Sequence, residues 1–286
     1  VSAPAESQDE YATRLLKCSR FTAPAVRQAI GALVPPASIG LDVGCGIGRD
    51  TLWLGQAVGP GGKVTGVDLS ADFLKTAREA ASLTEYPERF CFQQGDLRSL
   101  PFHADTFDWV WCKDAFWPGP TERGGVVPDP VMGVREFARV VRPGGVVALV
   151  YWTGQKLLPG YPALEARLEV ALSQWIPYLR DIPPERHYLR ALAWMRAAGL
   201  EDTQAQCFAA SLYGPLGEAL QDSVACVLDM LYGGLESLLS SEDWQLVQRL
   251  CRLESDEYLP RHPFYYCSVD YTLFRGRRPA ADAAGA

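Results

Sequence analysis

The chain has 286 residues, of which 48% are hydrophobic and 21% charged, and a formal net charge of −7. That balance suits a globular chain long enough to bury a full core and excludes a disordered one. Acidity and a single dense basic run, Arg275-Gly276-Arg277-Arg278, argue against a nucleic-acid grip, and no apolar run nears the roughly 20 residues a membrane helix needs.

Val1 to Glu10 is polar and acidic, unlike a secretory signal. Residues 11 to 34 read as one or two helices with a break at Pro24, stopped by Pro35-Pro36. Ile39 to Val43 is a short apolar run entering a glycine cluster, the pattern of a buried strand and tight turn. A helix over Asp50 to Val58 and a strand over Lys63 to Leu69 follow. Next come a helix over Ala71 to Leu83 capped by Ser70, and strands at Phe90 to Gln94 and Phe107 to Cys112. A helix over Pro130 to Val141, a turn at Pro143-Gly144-Gly145 and a strand over Val146 to Trp152 complete the alternation. Strands alternating with helices predict a doubly wound α/β domain.

Beyond it, residues 161 to 182 and Glu185 to Ala198 read as helices, and Thr203 to Leu212 as a strand. Residues 216 to 256 read as two or three helices, and Tyr265 to Phe274 as a last strand. The expected organisation is N-terminal helices over 1–37, a core over 38–154, a helical region with a late strand over 155–264, a final strand over 265–276 and a disordered tail over 277–286. The basic run is expected to lie in a solvated tail after the last strand.

The informative stretch is Leu41-Asp42-Val43-Gly44-Cys45-Gly46-Ile47-Gly48, in which alternate glycines follow a strand and open a helix. Glycine admits unusual dihedrals and lets a ligand approach the backbone. A dinucleotide site would carry G-x-G-x-x-G. Here the glycines fall at 44, 46 and 48, position 49 is Arg, and Asp42 is ill placed beside a pyrophosphate but suits an ammonium group. The glycines alone leave both readings open; two later acids separate them. Asp68 ends the second strand 20 residues past Gly48, where a carboxylate can accept from both hydroxyls of a ribose. Asp96, in Gln94-Gly95-Asp96-Leu97, can accept from an adenine amine. Three acids at three strand ends, with no cation for phosphate, describe an adenosine bearing a cationic amino-acid tail.

These segments resemble the class I S-adenosylmethionine-dependent methyltransferases, in particular the small-molecule branch similar to ubiquinone and menaquinone biosynthesis methyltransferases. The likeness rests on Leu41 to Gly48, Gly66-Val67-Asp68-Leu69-Ser70, Gly95-Asp96-Leu97, Leu100-Pro101-Phe102, Phe107-Asp108-Trp109-Val110 and Val141-Arg142-Pro143-Gly144-Gly145, in the family's order over about residues 38 to 152. Residues 155 to 264 match no motif. The resemblance implies a Rossmann-like sheet of seven strands, mostly parallel, with an antiparallel last strand and helical lid insertions. It implies S-adenosyl-L-methionine as cofactor, held by Asp42, Gly44, Cys45, Gly46, Gly48, Asp68 with Leu69, Asp96 with the Leu97 amide, and the Lys113 carbonyl.

Asp114 follows Lys113 where the methyl group should point. It is the candidate catalytic residue, as a general base or as a holder of a cationic acceptor, with a helix cap or a cofactor contact as alternatives. Aromatic residues gather around the expected mouth: Phe116, Trp117, Tyr151, Trp152, Trp175, Tyr178, Tyr265 and Tyr266. Of these, Phe116, Trp117, Tyr151 and Trp152 are the favoured acceptor walls, and core packing is the competing role. Cys45 reads as a small turn residue, not a nucleophile. His103, His187 and His262 lack coherent spacing, so no metal is expected. The eight cysteines form no C-x-x-C pair, which points to a reducing cytoplasm without a disulfide framework. The expected partner is a small-molecule acceptor, without nucleic acid or membrane, and a homodimer is compatible with the chain. A protein that binds the same cofactor for a non-methylating reaction or for regulation is the alternative.

Overall fold

The computed structural model describes residues 8–118, 126–176 and 182–280. In chain order the elements are α1 (Gln8–Leu33), β1 (Ile39–Val43), α2 (Arg49–Val58), β2 (Lys63–Asp68), α3 (Ala71–Ser82), β3 (Phe90–Gln94), β4 (Phe107–Lys113) and α4 (Pro130–Val140). They continue with β5 (Val141–Lys156), α5 (Pro162–Trp175), α6 (Ala191–Ala197), β6 (Glu201–Tyr213), α7 (Glu218–Tyr232), α8 (Ser241–Cys251) and β7 (Tyr266–Arg277). The strands form one seven-stranded sheet in the order β3-β2-β1-β4-β5-β7-β6.

The pairs β1–β2, β1–β4, β2–β3 and β4–β5 are parallel. Gly144 and Gly145 exchange backbone bonds with Arg278, while Thr153 Oγ1 reaches the Asp270 carbonyl. Residue numbers therefore fall along β7 as they rise along β5, which makes β7 antiparallel, as the resemblance implied. The sheet is thus mixed and the fold Rossmann-like α/β. Strand order reverses between β1 and β4, and in such sheets the ligand crevice opens at the carboxyl ends beside that point.

The chain divides into two compact units. The larger holds 27–152, 182–208 and 271–286; its core includes Leu41, Val43, Val67, Val110, Phe116, Phe137, Leu149, Tyr151, Trp194 and Phe274. The smaller holds 1–26, 153–181 and 209–270. There α7 packs against α5 and α8, and Arg167 on α5 grips the Asp243 carboxylate on α8 through two bonds of 2.8 and 2.7 Å.

Four readings of the sequence are corrected. Helix α1 runs through Pro24 without a break. An interior proline forfeits one backbone bond, but Phe21, Ala25 and Val26 beside it are fully buried, and that packing holds the helix. Glu185 to Ala198 is two short 3-10 turns before a seven-residue α6, because His187 is extended, with ψ at 136°. The turn at Pro143-Gly144-Gly145 is a bulge within β5: Phe107 pairs with Val141 and Trp109 with Val146, and Gly144 takes φ of 80°. The basic run is no solvated tail. Arg275, Gly276 and Arg277 are in β7, and the Arg278 guanidinium donates to the carbonyls of Ala138 and Arg139 in the last turn of α4 and of Val141 at the start of β5. The expected tail over 281–286 and Tyr178 lie outside the described residues.

Candidate active site

The glycine turn is fastened to β2. The Gly44 and Cys45 amides donate to the Val67 carbonyl at 2.8 and 3.0 Å, and the Gly46 amide donates to Asp68 Oδ2 at 2.9 Å. Gly44 and Gly48 take φ of 72° and 78°, and a Cβ on them would stand 2.3 Å from Ala115 Cβ and 2.7 Å from Ala77 Cβ. Conformation and close approach both require glycine there. Asp68 Oδ1 accepts from the Ser70 amide at 2.9 Å, so each carboxylate oxygen holds one donor and keeps a further lone pair. Beside it Leu69 is 58% exposed, an unusual display for leucine at a strand end.

Asp42 lies beneath the turn and is 2% exposed. Its Oδ2 accepts from Thr51 Oγ1 at 2.6 Å, and burial, reinforced by the Asp50 charge, pushes its carboxyl up to about 8. Asp42 therefore braces the first turn of α2 against β1. Cys45 is buried, its thiol raised by burial, as fits a turn residue rather than a nucleophile. At the next strand end Gly95 donates to the Asp68 carbonyl at 3.0 Å, which places Asp96 beside the same crevice. The Asp96 carboxylate is gripped by Arg98, which holds its carboxyl below the usual range. Leu97 is buried in the core.

At the end of β4 Asp114 has φ of 49°, a strained conformation for a residue with a Cβ. Oδ1 accepts from the Trp152 amide at 3.0 Å and Oδ2 from the Tyr271 hydroxyl at 2.9 Å. Burial and the Asp114 charge raise Tyr271, so its hydroxyl keeps the proton and donates. Lys113 Nζ stands 3.4 Å from Asp114 Oδ2 and 3.7 Å from Asp50 Oδ2, and lies over the Tyr271 ring. Burial opposes the charge on Lys113, but Asp50, Tyr271 and Asp114 outweigh it and hold the ammonium.

Trp117 and Trp152 are partly buried, with Trp152 against the Tyr271 ring at 5.8 Å and Trp117 donating to the Asp114 carbonyl at 2.8 Å. Phe116 and Tyr151 are corrected to core residues. Both are fully buried; Phe116 packs on Phe137 and Trp194, and the Tyr151 hydroxyl donates to the Phe116 carbonyl at 2.6 Å, so neither presents a face to a ligand. Trp175, Tyr265 and Tyr266 belong to the smaller unit. His187 Nδ1 accepts from the Leu189 amide and His262 Nδ1 from the Phe264 amide, which are local turn contacts, and His103 is exposed. Among the described residues no cluster of metal ligands occurs and no helix is long and apolar enough to cross a membrane.

Sequence reasoning missed Thr51, Asp50 and Tyr271. An acid in the first turn of α2 was a signal for Asp50; nothing local marked Tyr271.

Residues 41–149 match the family described as a methyltransferase domain. A demethylmenaquinone methyltransferase from Staphylococcus aureus is 37% identical over 126 residues, which are 44% of this chain and 47% of that protein. The chain thus spans about half the length of the curated relatives it matches. Among solved structures, the YcgJ protein from Bacillus subtilis superposes with a TM-score of 0.52 at 21% identity, over 90% of this chain and 99% of that one. A chain of the Haloferax volcanii complex containing a methyltransferase activator gives 0.57 at 18% identity, over 97% and 100%. The match over 41–149 takes in the glycine turn and the Asp68 that holds it, so this segment is similar to a methyltransferase domain on a Rossmann-like sheet.

Proposed function

We propose that this chain transfers the methyl group of S-adenosyl-L-methionine to a small, partly apolar acceptor. The observation that carries the reading is the Gly46–Asp68 hydrogen bond, which holds the glycine turn and the strand-end acid in one crevice beside the strand-order reversal. The residues fit the cofactor. Gly44 and Gly46 bare the backbone for the methionine part, Asp68 retains lone pairs for two ribose hydroxyls, and exposed Leu69 offers the adenine an apolar face. Asp96 and the Leu97 amide meet the adenine edge, Arg98 sharing the carboxylate, and the Lys113 carbonyl takes the amino group. Asp42 and Cys45 shape the turn from beneath.

The cofactor supplies an electrophilic methyl group, so the protein contributes position and, where the acceptor needs it, proton removal. Asp114 holds a cationic acceptor or takes its proton, and Trp117 and Trp152 wall the acceptor. The name of the Staphylococcus relative suggests a quinone-type ring as the acceptor class. Residues 155–264 carry no cofactor motif and are assigned to acceptor selection. Eight free cysteines support a reducing, cytoplasmic setting.

Calorimetry with S-adenosylmethionine, followed by detection of adenosylhomocysteine with reduced quinones, tests the proposal. Binding and acceptor-dependent adenosylhomocysteine are expected. Absence of binding overturns the reading, and binding without turnover across an acceptor panel favours a non-methylating role.

A further inference from the structure

In the smaller unit, α1 and α7 bring together two cysteines 208 positions apart in the chain. Cys18 Sγ donates to Cys226 Sγ at 3.6 Å. The contact sits in a fixed frame, because one turn away Ser223 Oγ donates to the Lys17 carbonyl at 2.6 Å, and Cys226 Sγ also reaches the Arg14 carbonyl at 3.8 Å. Both thiols are partly exposed, whereas Cys45, Cys112, Cys251 and Cys267 are buried. We infer that Cys18 and Cys226 are a reversible dithiol–disulfide site, which takes a small external disulfide of the glutathione class as its oxidant.

The surroundings favour Cys226 as the attacking sulfur. The Cys18 hydrogen bond, opposed by partial burial and helped by the charges of Lys17 and Arg14, lowers its thiol to about 7, with Asp229 acting against them. A thiol near ambient pH combines a useful thiolate fraction with good nucleophilicity. The Cys226 thiolate attacks one sulfur of the external disulfide; that S–S bond breaks and one thiolate leaves. The Cys18 thiolate then attacks Cys226 Sγ in the mixed disulfide and expels the second thiolate. Two cysteines are oxidised by two electrons, one external disulfide is reduced, and the two cysteine protons pass to the two released thiols. The product joins α1 covalently to α7.

The experiment incubates the whole protein with oxidised glutathione and maps its peptides without reduction. A linked pair of peptides containing Cys18 and Cys226 is expected, formed before any product at exposed Cys91 or Cys207, and retained when those two are changed by Cys91→Ser and Cys207→Ser. In Cys18→Ser the product should become a stable glutathione adduct on Cys226. Peptides that both stay free, an adduct on wild-type Cys226 that never resolves, or prior reaction at Cys91 or Cys207 would each overturn the inference.

Discussion

The hydroxyl of Tyr271, on the last strand, donates to the carboxylate of Asp114, at the end of the fourth, across 157 residues of chain. Tyr271→Phe removes that donor and leaves the buried ring in place. Loss of one hydrogen bond to a charged group, about 1.5–3 kcal/mol, predicts a turnover roughly 10–100-fold lower with cofactor affinity nearly unchanged. Steady-state kinetics and calorimetry on the folded variant check both halves. Unaltered turnover would remove Tyr271 from the positioning of Asp114.

Asp114→Asn separates the two roles open to that carboxylate. As a general base, its loss should lower kcat by about 10²–10⁴-fold. As a holder of a cationic acceptor, its loss should appear mainly as a higher acceptor KM. Trp117→Ala should raise acceptor KM in either case, because it removes ring burial common to ground and transition states.

Asp68→Ala removes the acceptor of the Gly46 amide and the proposed ribose contact together. Cofactor affinity should weaken by about 1–3 kcal/mol. Calorimetry that returns the wild-type value would take Asp68 out of the cofactor site.

Gly44→Ala sets a Cβ 2.3 Å from Ala115 Cβ at a positive φ. Strain and overpacking together should cost roughly 2–4 kcal/mol of folding stability, read as a shift in the denaturation midpoint. Gly61→Ala is the comparison. It shares a positive φ, at 82°, but its nearest neighbour lies 3.8 Å away, so it should lose less.

Asp42 predicts a pH dependence of stability. Its folded-state carboxyl is raised to about 8 against an ordinary 3.8. Between those values the folded protein retains a proton that the unfolded chain has released, so its contribution to stability falls as pH rises through that window. Asp42→Asn keeps an oxygen for Thr51 and cannot ionise. Relative to wild type, the variant should therefore gain stability from pH 5 to pH 8, by a few kcal/mol on the order of one per unit of pH. Denaturant melts at the two pH values measure the difference, and parallel slopes would reject the assignment.

What could be read in advance was local. The bounds of β1 and β3 follow from short apolar runs between turn residues, and Ser70 caps α3 by accepting from the Phe73 amide, as its position suggested. Asp68 announced itself by its distance from the glycines. Features set by distant packing stayed hidden. Pro24 looks like a helix break until the burial of Phe21 and Val26 is known. Phe116 follows a strand end as a pocket residue would, yet Phe137 and Trp194 claim its ring. Arg278 looks like a tail residue until its carbonyl partners on α4 and β5 are seen.

The interleaving of the sheet has a practical consequence for anyone dissecting the protein. The segment that matches the methyltransferase domain ends at Leu149, inside β5, whereas the partner of β5 on its far side, β7, begins at Tyr266. A truncation at the match boundary would strip β5 of that neighbour and leave Val147 and Leu149 on an open edge. Bare apolar edges recruit other chains. Such a fragment should precipitate, and recombination of this protein with its relatives should keep residues 182–208 and the C-terminal strand together with the first half.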